Sequence, residues 1–311
     1  MDDVFDSLIT EQQNENSKDI DTMDTIDILK VMNDEDKKVA YAVEKCLEDI
    51  ALAVDGIVER MEKGGRLLYF GAGTSGRLGI LDAAECPPTF GTEPELVQGI
   101  MAGGSDAFNI AREDIEDYKE EGAAAVIRKE VTELDSVVGL SASGRAPYVV
   151  GAVEEAKKRG AFAVSITCNE KSVMDDIVDI HINVVVGPEV IMGSTRLKAG
   201  TAQKMVLNML TTASMIKLGK VYGNLMVDLK PKNKKLVERS KKIIMSATGV
   251  SYEAAEKYFN LSKKNPKLAI VMIETGTDYE MACKLLDEGG GFVSKAIERG
   301  KPIEDCSSSK A

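Results

Sequence analysis

Histidine is almost missing from this chain: among 311 residues only His181 is one. A metal site would therefore rest on carboxylates, and no clustered Asp/Glu loop offers the oxygen-rich spacing that hard cations require. Neither a metal nor another cofactor is expected. The five cysteines, Cys46, Cys86, Cys168, Cys283 and Cys306, are scattered, odd in number and without a C-x-x-C pair. That excludes zinc-finger spacing and suits a reducing compartment. No run of about 18 apolar residues occurs, and the opening MDDVFDSLITEQQ has no basic segment ahead of an apolar core, so neither a membrane span nor a signal peptide is expected. Positive charge is also short, with 39 Lys and Arg against 51 Asp and Glu and a net charge of −12. Nucleic acid and anionic membrane would be repelled by that field, so any phosphate must be captured locally. A cytoplasmic protein is the expectation.

What is present is patterned. After a polar N-terminal arm, Val39, Val43, Cys46, Leu47, Ile50, Val54, Ile57 and Met61 recur at three- and four-residue steps, which predicts one long amphipathic helix over 36–63. Five short apolar runs follow: LLYF (67–70), LVQGIM (96–101), SVVGL (136–140), AFAVSIT (161–167) and DIHINVVV (179–186). Alternating with helical stretches, they predict an α/β sandwich around a mainly parallel sheet. A helix over about 201–218 and helical segments near 237–247, 252–263 and 266–274 come next. Another helix opens at TDYE, where Thr277 and Glu280 fit a capping box, and stops at the glycines 289–291. The expected organisation is an arm (1–35), a main α/β domain (36–229) and a small all-helical C-terminal domain (230–311) with a frayed CSSSKA end. The run from Lys230 to Lys242 holds seven basic residues against one glutamate; a solvated linker and helix face accounts for it.

Three loops attract attention because each puts glycine and small hydroxyls where a strand turns into a helix. GTSGR (73–77) follows the first strand, SASGR (141–145) the third, and GPEVIMGSTRLKAGTAQK (187–204) the last. A helix N-terminus exposes unpaired N–H groups at the positive end of its dipole, hydroxyls add donors, and glycine permits close approach. Ordinary caps and turns use the same residues, so the argument rests on three loops together. Candidate phosphate ligands are Thr74, Ser75, Gly76 and Arg77, then Ser141, Ser143, Gly144 and Arg145, then Ser194 and Lys198. GAGTSG reads G-x-G-x-x-G and keeps a dinucleotide site open, yet Glu93 and Glu95 precede the next strand instead of ending it, and no Walker loop is present.

The segments GAGTSGRLGILDAAECPPTFG, GLSASGRAPYV, GSTRLKAGTAQKMVLNMLTTASMIKLGKVYGNLMVDL and LITEQQNENSKDID together resemble the N-acetylmuramic acid 6-phosphate etherases, a family of the SIS sugar-phosphate fold. The resemblance runs through nearly the whole chain. It implies an SIS-type three-layer sandwich and a homodimeric cytoplasmic lyase of cell-wall sugar recycling. It also implies a substrate, N-acetylmuramate 6-phosphate, cleaved with water to N-acetylglucosamine 6-phosphate and D-lactate. By the same resemblance Glu85, in AECPP, is the proton donor. The second acid falls in AREDIEDYKEEG at Glu116, with Glu113, Asp114 and Asp117 as close neighbours. Gly289 departs from the family, where a histidine commonly precedes the paired glycines.

The residues are compatible with that chemistry. Once the ring opens, the C2 proton is α to an aldehyde and the C3 lactyl oxygen is a β leaving group. A base at C2 and an acid at the departing oxygen suffice. Glu85 is expected at the C-terminal, negative pole of a helix halted by Pro87 and Pro88, where a carboxyl holds its proton better. Without the resemblance, Glu85 reads as a solvent-facing helix end and Glu116 as part of an acidic surface. His181, flanked by alternating apolar residues in DIHINVVV, reads as a structural or partly buried strand residue. Two rival functions remain: a phosphosugar isomerase, which commonly opens the ring with histidine, and a non-catalytic phosphosugar-sensing regulator, for which no helix-turn-helix unit is seen.

Overall fold

A computed structural model describes residues 8–108, 113–231 and 233–300. Cys306 and the CSSSKA end lie outside them. By internal contacts the chain forms two compact units, 1–85 with 93–214 and 86–92 with 215–311.

The first unit opens with single turns of 3-10 helix, then α1 (Thr25–Glu44) and α2 (Leu47–Glu62). The single helix expected over 36–63 is thus two, and it starts earlier, at Asp24 as N-cap. The apolar spacing runs through the break, so periodicity alone does not reveal it. Cys46 leaves helical geometry (φ −105°, ψ 8°), and its Sγ donates to Ala42 O and to Asn183 O, the latter 137 residues away in sequence.

Five strands follow: β1 (Leu67–Gly71), β2 (Val97–Met101), β3 (Ser136–Leu140), β4 (Phe162–Thr167) and β5 (Ile180–Asn183). They form one parallel sheet in the order β2-β1-β3-β4-β5. The intervening helices are α3 (Gly73–Phe90), α4 (Lys119–Arg128) and α5 (Pro147–Lys158), and α6 (Lys198–Lys217) ends the unit's run. A parallel sheet covered on both faces needs apolar residues at every position of its central strands, and β1 and β3 are buried throughout. Side chains alternate between faces. Leu68 and Phe70 join a core with Val126 of α4 and Val149 and Val153 of α5. Tyr69 faces the other way, toward α3, and its hydroxyl donates to Asp82 at 3.0 Å. This is the α/β sandwich that the alternating pattern predicts, in the three layers that the resemblance implies. His181, expected to be a structural or partly buried strand residue, is in the edge strand β5 and is exposed there.

In the second unit α7 (Lys234–Thr248), α8 (Tyr252–Leu261), α9 (Pro266–Thr275), α10 (Tyr279–Glu288) and α11 (Val293–Gly300) pack around Ile244, Phe259, Ile270 and Val271. Side-chain caps begin four of them: Asn233, Ser251, Asn265 and Asp278 accept from Leu236, Ala254, Leu268 and Met281 N–H. The α10 cap is therefore Asp278, not Thr277, whose hydroxyl pairs with that of Thr275. A side chain at Gly289 would meet Leu285 O and Ala296 N, both at 3.1 Å; the α10–α11 turn here is closed too tightly to hold one without shifting. In the basic run, Lys241 is buried and ion-paired with Glu238 and Glu256, so it serves the fold of this unit.

Candidate active site

The strand order reverses between β1 and β3, and in open parallel sheets the crevice outside the carboxyl ends at that point is where ligands bind. A cavity of about 470 Å³ lies there. The loop after β1 lines it with Ala72, Gly73, Thr74, Ser75 and Arg77, and the loop after β3 with Ser141, Ala142, Ser143 and Ala146. Met101 and Ala102, at the end of β2, join them, as do Glu116, Glu11, Gly193 and Thr195.

The first loop is the start of α3. Its first-turn N–H groups have no carbonyl ahead of them within the helix, and Gly73, Thr74 and Ser75 stand at the cavity wall. An anion here meets the positive end of an 18-residue helix. Arg77 adds a cation while its guanidinium donates to Phe108 O (2.8 Å) and Ala107 O (2.9 Å). Ser75 Oγ donates to Gln203 Oε1 at 2.8 Å, which fixes its rotamer. Gly76 is not at the cavity wall. A Cβ there would come within 2.6 Å of Met101 Cβ and 2.8 Å of Gly71 O, and one at Gly71 within 2.7 Å of Gly76 N. Gly71 and Gly76 of GAGTSG thus serve a close crossing of β1 by α3, while a Cβ at Gly73 would meet nothing.

The second loop has turned its hydroxyls inward. Ser141 Oγ accepts from Gly144 N–H (3.1 Å) and lies 3.3 Å from Ser143 Oγ, which accepts from Arg145 N–H (3.2 Å). Ser141 and Ser143 still line the cavity; Gly144 and Arg145 do not. Gly144 holds φ +73° against Ser172. In the third loop Ser194 also stays off the wall, between Gly193 and Thr195, which reach it. Lys198, expected to bind phosphate, is 1% exposed, and its Nζ bonds Glu35 Oε2 at 2.6 Å. It holds the fold instead. Burial opposes the charge on Glu35, but hydrogen bonds from Lys198, Lys38 and Asn16 outweigh it and hold the carboxyl at about 2. Glu189, buried, caps α6 by accepting from Lys198 and Ala199 N–H, and burial pushes its carboxyl up.

The two expected acids line different cavities. Glu116, half-buried in a 3-10 turn (Glu113–Asp117), lines the main cavity. Asp117 is exposed, and the side chains of Glu113 and Asp114 lie outside what is described. Glu85 is exposed beside a second cavity of about 200 Å³ formed by Leu78, Leu81, Asp82, Lys204, Leu207 and Asn208. Nor does α3 stop before Pro87; it runs to Phe90. Two prolines remove two N–H groups, and the last turn still closes with Gly91 N–H on Pro87 O at 3.0 Å. Glu85 therefore sits in the penultimate turn and not at the helix pole. Beside it Asp82 is buried and accepts from Tyr69, Asn208 and Thr211; burial raises its carboxyl despite these bonds.

Glu11 escaped the loop argument because it belongs to the arm, although it stands in the LITEQQ segment that carries part of the resemblance. Thr195, a hydroxyl next to a predicted ligand, was within reach of the pattern.

The parallel sheet and its switch-point cavity define an SIS-domain protein. Residues 118–213 match the SIS domain family, and residues 49–157 match the glucokinase regulatory protein N-terminal SIS domain. Similarity to an N-acetylmuramic acid 6-phosphate etherase of Clostridioides difficile (strain 630) is 56% identity over 95% of this chain and 97% of that protein. For one of Caldanaerobacter subterraneus subsp. tengcongensis it is 55% over 95% and 96%. A solved phosphoheptose isomerase from Neisseria gonorrhoeae is 18% identical, covers 61% of this chain and 98% of its own, and gives a TM-score of 0.48. The chain belongs to the N-acetylmuramic acid 6-phosphate etherase family.

Proposed function

We propose that the protein cleaves the D-lactyl ether of N-acetylmuramate 6-phosphate by elimination and then hydration, as a cytoplasmic homodimer in amino-sugar catabolism. The observation that carries the site reading is the switch-point cavity, which puts a helix N-terminus, Arg77 and the hydroxyls of Thr74, Ser75, Ser141 and Ser143 in one wall with the carboxylate of Glu116. The phosphate sits against the first group, and the sugar extends toward the acid. Glu116 removes the C2 proton of the open-chain aldehyde, the C3–O bond breaks, and the lactyl oxygen takes a proton from Glu85. Water then adds at C3. An isomerase reading lacks its usual histidine, since His181 is outside the cavity.

On this reading Glu85 acts in the cavity of a second copy of the chain. It is eleven residues from Thr74 on the same helix, roughly 16 Å along the axis, which exceeds the reach of a hexose phosphate bound at the helix start. In the homodimer Glu85 belongs to the neighbour's site.

Incubation of the protein with N-acetylmuramate 6-phosphate in ¹⁸O water tests the reaction. Unlabelled lactate and a sugar phosphate labelled at O3 are expected, because the ether oxygen leaves with lactate. Label in the lactate, or no lactate at all, rejects the elimination route.

A further inference from the structure

The proposed chemistry starts from a closed hexose ring, and neither Glu116 at C2 nor Glu85 at the departing oxygen opens it. Among the described residues one further carboxylate lines the cavity: Glu11. Its position is set by long-range bonds. Asn169 Oδ1, just past β4, accepts from Ile9 N–H (2.8 Å) and Thr10 N–H (3.4 Å). Its Nδ2 donates to Thr10 Oγ1, Ala142 O and Ser143 O. The same side chain thus ties the arm to the hydroxyl loop after β3. Farther along, Asn14 Nδ2 donates to Pro188 O (3.0 Å) and Ser17 Oγ to Val190 O (2.7 Å).

Thr10, Asn14 and Ser17 are all buried. Glu11, between these anchors, is half-buried, and its carboxylate has no hydrogen bond or ion pair among the described residues. Gly193 stands next to it at φ +74°, where a Cβ would come to 3.1 Å from Glu11 Oε2. A strap whose neighbours are all anchored, and whose one cavity-lining acid is unpaired, presents that acid to a ligand.

Charge decides which end of the ligand it meets. A carboxylate repels the phosphate that the α3 N-terminus and Arg77 attract, so Glu11 faces the sugar. In a 6-phosphate, C1 is the carbon farthest along the chain from phosphorus and adjoins the C2 attended by Glu116. We propose that Glu11 opens the hexose ring, an assignment that rests on the etherase reading of this site. Its carboxylate takes the proton of the C1 hydroxyl, C1=O forms, the C1–O5 bond breaks with its electron pair on O5, and the same carboxyl returns the proton to O5. O1 and O5 share one carbon, so a single carboxyl reaches both, and no co-reactant is consumed.

Anomer exchange of the product, N-acetylglucosamine 6-phosphate, isolates this step, because interconverting α and β forms needs ring opening and no elimination. It is read by NMR saturation transfer between the two C1 protons. Wild-type protein should accelerate the exchange, and Glu11→Gln should lower that acceleration about a hundredfold, with lactate release falling in parallel. Glu116→Gln should lose lactate release yet keep anomer exchange. Wild-type exchange in Glu11→Gln overturns the assignment, and so does a wild-type protein that releases lactate without accelerating exchange. If Glu11→Gln does not fold, Glu11→Asp decides: a carboxylate withdrawn by one methylene must slow exchange, and an unchanged rate overturns the proposal. Failure of the wild type to release lactate would instead remove the etherase reading itself.

Discussion

Lys198 and Glu35 illustrate how one residue can look like a ligand and act as a brace. Both are nearly fully buried and bonded at 2.6 Å. Removing one partner of a buried ion pair costs about 3–5 kcal/mol when the other charge is left unpaired; without Lys198, Glu35 keeps Lys38 and Asn16, so the loss is smaller. Lys198→Met should therefore lower Tm clearly, and adding Glu35→Gln should recover part of the loss; a single variant as stable as wild type would contradict the pairing. The pair also has a pH signature. Glu35 is held below its ordinary value of 4.5, at about 2. Its stabilisation is thus complete above pH 4.5 and drains as pH falls toward 2. Acid unfolding of the wild type should be steeper through that window than that of the double variant.

Among the elements, α3 carries most of the site, and its approach to β1 depends on residues without side chains. Gly76→Ala would push a methyl to 2.6 Å from Met101 Cβ and 2.8 Å from a backbone oxygen. Overpacking of that kind costs roughly 1–3 kcal/mol. The substitution should lower Tm and, by moving the first turn of α3, raise KM for the phosphosugar more than it changes kcat. Unaltered Tm and KM would mean that the crossing has slack. The same helix shows the limits of local reading. Proline lacks an N–H and suggests a stop, but near a C-terminus only two bonds are forfeited, so α3 continues past Glu85. Likewise the unbroken apolar spacing over 36–63 hides the break at Cys46, whose thiol bonds a strand more than a hundred residues away.

For the molecule as a whole, the distribution of the two mechanistic acids makes a prediction about assembly. Glu85→Gln and Glu116→Gln should each abolish lactate release. Unfolding, mixing in equal amounts and refolding the two should restore about a quarter of wild-type activity, because in the proposed homodimer half the dimers are mixed and each then holds one intact site and one doubly altered site. A mixture as inactive as its parents would place both acids in one chain's site.

Local pattern was enough for the five strands, the alternation with helices, the hydroxyl loops at strand ends and the family. Those features depend on periodicity, turn chemistry and motifs, which are written in consecutive residues. Which side chains converge is another matter. Lys198 is turned inward by Glu35, and Glu85 and Glu116 open onto different cavities. Glu11 arrives beside the hydroxyl loops through Asn169, 160 residues from Ile9 in the chain. Each of these placements is set by a hydrogen bond or packing contact between distant segments, and no spacing rule along the chain encodes such a contact.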